Sequence, residues 1–218
     1  MPELPEIAVF ARDMQQELAG RTIAGVEVLQ PKCLNVPVDE FVSALAGARI
    51  LSVQAHGKWL KVQTSRGWLL LNLGMGGEIL LTSRATLPEK HRLIFDFIDG
   101  ACLSVNFWWF GYAHYARSGE LADHGMTTGL GPSALDLSAD ELGAILQGRK
   151  ARVKTLLLDQ DVIAGIGNSY IHDILFLARL HPLRPAAGLT AGEVNALASA
   201  IQEILRRSIA RGGAFYEV

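Results

Sequence analysis

Met1-Pro2-Glu3-Leu4-Pro5-Glu6 opens the chain, and Ile7, Phe10, Ala11, Met14 and Leu18 follow at the spacing of one buried helical face. The spacing predicts a helix over residues 5–19. Pro5 suits its first turn and Gly20 its stop. A helix that buries a face ties the chain start down. The plain alternative is a frayed terminus ahead of an ordinary helix.

The first residues also carry chemistry. A small second residue such as Pro2 favours removal of Met1, which leaves a secondary amine at the chain start. An α-amino group titrates at about 8, well below a lysine, so part of it is neutral near pH 7. A neutral amine attacks a carbonyl carbon or a sugar C1′. Glu3 and Glu6 stand one helical turn apart, so both carboxyls can face that amine. One can protonate a leaving oxygen while the other holds geometry.

Beyond the helix the period changes. From about residue 22 to 117 the chain reads as short strands: 22–29, 50–53, 59–62, 68–71, 93–98 and 101–105. Ser65-Arg66-Gly67 and Asp99-Gly100 are the hairpin turns. Residues 39–46 read as a short helix between strands. Many short strands with intervening turns predict a β-sandwich. Residues 118–137 are Gly-rich and polar and read as a linker. Helical spacing then returns near 139–147, 150–157, 168–178 and 191–210. Ser138/Glu141 and Thr190/Glu193 have capping-box spacing.

With 218 residues, half of them hydrophobic, the chain affords one large or two small cores. No apolar run approaches the roughly 20 residues of a membrane span. Glu3 and Glu6 argue against a signal peptide. Two distant cysteines, Cys33 and Cys102, fit neither a disulfide framework nor a zinc site, and point to a reduced compartment. Net charge is −2 and the pI near 6.3, which speaks against a strongly basic nucleic-acid binder. Arg149-Lys150-Ala151-Arg152-Val153-Lys154 is a local exception, either a phosphate-binding patch or a solvated helix face.

Three ordered stretches carry a resemblance: the opening hexapeptide, His56-Gly57-Lys58, and Asp159-Gln160-Asp161-Val162-Ile163-Ala164-Gly165-Ile166-Gly167-Asn168-Ser169-Tyr170. Together they resemble the formamidopyrimidine-DNA glycosylase and endonuclease VIII family of DNA repair enzymes, over nearly the whole chain. Lys58, by itself a surface charge after a glycine bend, matches the family lysine that contacts phosphates around the lesion and assists elimination. The Gly165–Asn168 turn, by itself either an anion site at a helix start or a buried inter-helix turn, resembles the family's helix–two-turn–helix. There Asn168 matches a phosphate contact, Arg149 and Lys154 fall at or beside DNA-facing positions, and Tyr170 lies on the following helix. Asp173 stands where the family usually has Glu. His91 falls where the family has a DNA-contacting histidine.

Met75, in the loop Leu73-Gly74-Met75-Gly76-Gly77, either caps a core or matches the family Met that enters the gap left by an everted nucleotide. Asn106-Phe107-Trp108-Trp109-Phe110-Gly111 departs from the family's Asp-Pro-Arg-Arg-Phe-Gly. Trp108 stands where an arginine reads the unpartnered base, with Trp109 beside it and Phe110 kept. An arginine fork discriminates a base edge; an indole stacks almost without regard to sequence. Weaker opposite-base selectivity, or a bulkier or different lesion, is the expectation; the alternative is that both tryptophans fill the sandwich core. The family's four-cysteine zinc finger has no counterpart before Val218, so neither metal nor cofactor is expected and δ-elimination is in doubt.

The expected fold is α+β: an N-terminal helix and β-sandwich over residues 1–125, then a helical DNA-binding domain with a helix–two-turn–helix over 126–218. The resemblance implies a DNA glycosylase with AP lyase activity, in which Pro2, Glu3, Glu6 and Lys58 are catalytic. It implies double-stranded DNA with a damaged base or abasic site as partner, no membrane, a monomer, and a cytoplasmic place on the nucleoid. The rival from another class is a non-catalytic protein that binds damaged DNA.

Overall fold

The structure, a computed structural model, describes residues 1–213. Two compact units divide it. One contains Met1–Pro2 and Phe10–Thr128; the other contains Glu3–Val9 and Gly129 onward. The first helix, α1 (Leu4–Leu18), contributes its opening turns to the second unit and the remainder to the first.

The first unit is built on two four-stranded antiparallel sheets. β1 (Ile23–Val28), β6 (Leu93–Phe97), β7 (Ala101–Asn106) and β5 (Glu78–Ser83) form one, in that order. β2 (Ile50–His56), β3 (Trp59–Thr64), β4 (Gly67–Asn72) and β8 (Tyr112–Ala116) form the other. The helix α2 (Val38–Leu45) packs against β1. Hairpins set most of the register. Gly57-Lys58 closes β2–β3 with His56 opposite Trp59, and Ser65-Arg66 closes β3–β4 with Thr64 opposite Gly67. Asp99 caps its own turn by accepting the Ala101 N–H at 3.1 Å. Phe41, Leu60, Leu70, Leu71, Phe95 and Phe107 fill the core.

Two strands, β5 and β8, went unseen in the alternation of the sequence. β5 is an edge strand, half exposed along its length, so its apolar side chains do not alternate with burial. β8 is buried throughout most of its length and includes a buried histidine. The polar residues 118–137 also hold more than a linker. They contain α3 (Gly125–Thr128), and His124 from that region packs beneath β8.

His114 Nδ1 and His124 Nε2 lie 2.8 Å apart, and His124 Nδ1 lies 2.8 Å from Thr127 Oγ1. The Thr127 hydroxyl faces the His124 carbonyl at 3.4 Å. One tautomer satisfies this chain: His114 donates to His124, His124 donates to Thr127, and Thr127 donates onward to the carbonyl. Trp59 and Tyr112 wall the pair.

The second unit is helical. It contains α4 (Ala139–Leu146), α5 (Val153–Leu158), α6 (Ile171–Leu177) and α7 (Ala191–Ala210). Both capping boxes read from the sequence are present. Ser138 and Thr190 accept the N–H of Glu141 and Glu193, and each glutamate accepts the cap N–H in return. α5 starts later than its spacing suggested, because the Arg149 and Ala151 carbonyls accept from the N–H groups of Ala187 and Ala186 rather than from a following helical turn. The basic run therefore sits mostly on a loop. α6 also starts late, after a turn over 168–170. Among the described residues no helix is long and apolar enough to cross a membrane.

The histidine chain makes stability depend on pH. Burial, then the neighbouring His124, pushes His114 down to about 4; burial, then Lys61, lowers His124. The unfolded chain therefore binds more protons than the native one between about pH 4 and 6.5. Stability should be full above pH 6.5 and fall progressively toward pH 4. Urea unfolding from pH 4.5 to 7.5 checks this, and His114→Gln should flatten the slope in that window.

Candidate active site and nucleic-acid interface

The opening turn of α1 is fixed from several directions within the helical unit. The Leu4 N–H donates to the Gly165 carbonyl at 3.0 Å. The Glu3 N–H donates to Glu6 Oε2 at 2.8 Å, and Ile7 N–H donates to the Glu3 carbonyl at 3.0 Å. Glu3 is thus the cap residue and Glu6 closes half of a capping box. Pro5 lies inside the first turn, where its missing N–H costs nothing.

Both carboxylates are buried, at 3 % and 4 % exposure. Their hydrogen bonding differs. Glu6 gives one oxygen to the Glu3 N–H and receives the Tyr170 hydroxyl on the other. Glu3 Oε1 accepts the Ser169 N–H at 2.9 Å. Glu3 Oε2 is buried and has no hydrogen-bond partner among the described residues. A buried acceptor left unmatched costs about 1–3 kcal/mol, more when charged, and such groups call for a functional explanation.

The glycine turn is the cradle for this carboxylate pair. Gly165 has φ of 113°, and a Cβ there would fall 2.7 Å from the Leu4 side chain. Gln160 holds the turn closed: its Nε2 donates to the carbonyls of Leu158 and Ile166, and its Oε1 accepts the Gly165 N–H. Ser133 and Ala164 add a parallel bridge, with Ala134 and Ala164 donating across it. The turn therefore departs from the expected phosphate cradle. Gly165 and Ser169 spend their amides on Gln160 and Glu3, and Gly165, Ile166 and Gly167 are buried. Only Asn168 and Ser169 of the turn are exposed.

Tyr170 needs correction. It is 4 % exposed and its hydroxyl engages Glu6, so here it positions a carboxylate rather than presenting a DNA-facing surface. Gln160 and the Ser169 amide were not singled out from the sequence. Gln160 lay inside the quoted motif, between an Asx turn at Asp159 and the glycines, and an amide that both donates and accepts was the available signal. On the same unit Arg149 is exposed, and Lys154 Nζ lies 2.8 Å from His172 Nε2, which accepts.

The β unit carries the remaining candidates. Pro2 is buried, while Met1, bonded to its nitrogen, is 46 % exposed. The direction out of that nitrogen thus leads to solvent. Lys58 occupies the β2–β3 turn half-buried, and its carbonyl accepts from Asn72 Nδ2 at 3.3 Å. His91 is half-buried with Nδ1 against the Pro88 carbonyl at 2.8 Å.

Met75 is bridged to Trp109: the Met75 N–H donates to the Trp109 carbonyl, and the Trp108 N–H to the Met75 carbonyl, both at 2.8 Å. Met75, Trp108, Trp109 and Phe110 are 46 %, 61 %, 64 % and 68 % exposed. The tryptophans do not fill the core. Gly74 and Gly76 let the loop 73–77 lie close against the loop 107–111, and both loops present apolar side chains to solvent.

Comparison with known proteins gives this arrangement its context. Residues 1–106 match the family model "Formamidopyrimidine-DNA glycosylase N-terminal domain", and residues 128–218 match "Formamidopyrimidine-DNA glycosylase H2TH domain". A formamidopyrimidine-DNA glycosylase of Chloroflexus aurantiacus is 39 % identical over 217 residues, covering 98 % of this chain and 78 % of that protein. One from Edwardsiella ictaluri is 36 % identical, covering 98 % and 80 %. Among solved structures, the complex between Lactococcus lactis Fpg and DNA containing an abasic site matches with a TM-score of 0.90 at 25 % identity, covering 99 % of this chain and 81 % of that one. A Lactococcus lactis complex with DNA containing N7-benzyl-Fapy-dG matches with a TM-score of 0.89 at 26 % identity, covering 98 % and 81 %.

The close approach at Gly165 predicts a sensitive position. Gly165→Ala should destabilise the protein by about 2 kcal/mol or more, from a strained φ and a crowded Leu4. Urea unfolding at pH 7.5 measures it.

Proposed function

The chain belongs to the formamidopyrimidine-DNA glycosylase family, and from that premise we propose that it is a DNA repair glycosylase with AP lyase activity. Its substrate is double-stranded DNA that holds a damaged base or an abasic site. The observation that carries the proposal is Glu3: a buried carboxyl with one oxygen unsatisfied, directly following Pro2 in the chain. A protein that seats a carboxyl at the start of a helix and leaves one oxygen unmatched keeps that oxygen for another partner.

In this reading Met1 is removed and the Pro2 nitrogen becomes a secondary amine. The amine attacks C1′ of the damaged nucleotide. Glu3 delivers a proton to the sugar-ring oxygen as the ring opens and the base departs. The iminium that results makes the C2′ proton acidic, and its loss expels the 3′ phosphate by β-elimination. Lys58 binds phosphate and shuttles a proton. Glu6, saturated by the Glu3 N–H and Tyr170, keeps the turn and Glu3 in place.

The remaining assignments follow the same reading. Residues 1–125 form the catalytic domain and 126–218 the DNA-binding one. Met75 and Phe110 enter the gap that an everted nucleotide leaves, and His91, Arg149, Lys154 and Asn168 bind the backbone. The protein works as a monomer in the cytoplasm, at the nucleoid when bound to DNA.

Borohydride reduction on an abasic-site duplex tests the attack step. The processed protein should yield a covalent protein–DNA adduct, whereas protein that retains Met1 should yield none, because its proline nitrogen is an amide. Equal trapping by both forms sinks the proposal. For the acid step, Glu3→Gln should fold about as stably as the parent, since the amide has the same shape and its oxygen can still accept the Ser169 N–H. The same variant should lose base excision by about a hundredfold or more. Unfolding curves and single-turnover excision on one preparation give both answers.

A further inference from the structure

We propose that Trp108 and Trp109 form a stacking surface that makes the enzyme nearly indifferent to the base opposite the lesion. This rests on the glycosylase and lyase reading. The two indoles stand on the loop Phe107–Gly111, hydrogen-bonded through Met75 to the loop Leu73–Gly77. Trp108 lies against Gly76: a Cβ on that glycine would fall 2.8 Å from the indole. Phe110 holds φ at 56°, a backbone state that a bulky residue rarely takes. Such outliers persist where the surroundings impose them and cluster at sites of use. The loop thus spends conformational strain to keep three aromatic rings in water.

The chemistry of this surface is one-sided. Neither loop contains an ionisable side chain. Their side-chain hydrogen-bonding groups are two indole N–H donors and the weakly accepting Met75 sulfur; indole offers no acceptor. The Arg92 guanidinium is already engaged, donating to the Phe107 carbonyl at 3.3 Å, and is only half-exposed. Base edges differ by their pattern of donors and acceptors, and two hydrogen bonds aimed together at one edge tell it from the others. A flat aromatic ring stacks on all four bases to similar effect. The base that has lost its partner is therefore held by its face and not by its edge.

The test is single-turnover nicking of four abasic-site duplexes that differ only in the opposite base, with parent protein and the double variant W108A/W109A. The parent's four rates should fall within about threefold of one another, as sequence-tolerant stacking requires. The double variant should lose about tenfold or more on every duplex alike, with an unchanged thermal melt because both side chains are exposed. A parent preference of about tenfold or more for one opposite base, or variant rates equal to the parent's, overturns the inference. Failure of the folded parent to nick any duplex strikes the glycosylase and lyase reading instead. The stacking is then read by fluorescence. Quenching on the abasic duplex, similar for all four opposite bases and absent in W108A/W109A, still supports it, and quenching equal in both proteins rejects it.

Discussion

The structure depends on burying two carboxylates in the first turn of a helix. That is tolerable because the N-terminal end of a helix carries partial positive charge and unpaired N–H groups. The two groups nevertheless end in different states. Glu6 is saturated, with the cap N–H on one oxygen and the Tyr170 hydroxyl on the other. Glu3 is satisfied on one side only, by the Ser169 amide. Glu6 thus works as structure, and its fixed position makes the half-satisfied state of Glu3 durable. The remainder of the helical unit's turn serves the same end. Gln160 closes the loop, and Gly165 lets the backbone approach Leu4 near enough to accept its N–H.

Much of this was legible in the sequence, and the reasons differ by element. α1, α4 and α7 announced themselves through apolar period and capping residues, which are local signals. The Asp99-Gly100 hairpin was equally local. β5 and β8 were hidden because burial on them does not follow alternation: both lie on sheet edges, β5 half exposed along its length and β8 covered on most positions. The late starts of α5 and α6 were hidden because the preceding residues bond to distant partners, which no spacing reveals.

The candidate site divides along the same line. That Glu3 and Glu6 sit together followed from one helical turn. That Tyr170 would turn inward to meet Glu6, across most of the length of the chain, did not follow. A tyrosine has both an apolar body and a hydroxyl, so its composition fits either side of a protein surface. Trp108 and Trp109 were ambiguous for a related reason. Tryptophan is usually found mostly buried, and only the bridge between Met75 and Trp109 shows that this pair stands outside the sheets.

Net charge bears on how such a surface contributes. With 20 basic against 22 acidic side chains, the chain as a whole repels a polyanion weakly. The basic side chains that the proposed function sets against phosphate are local, as on the exposed loop that carries Arg149, Lys150 and Arg152 ahead of α5. Each phosphate neutralised adds a salt-dependent increment to affinity. Stacking of an indole on a base releases no counterions and is buffered against salt. A DNA-binding chain that is close to neutral therefore gains most from residues whose attraction does not come from charge. Four large apolar side chains held in water, one of them at a strained backbone angle, are costly in the free protein, and the proposed stacking on a base or insertion into a gap in the stack would offset that cost.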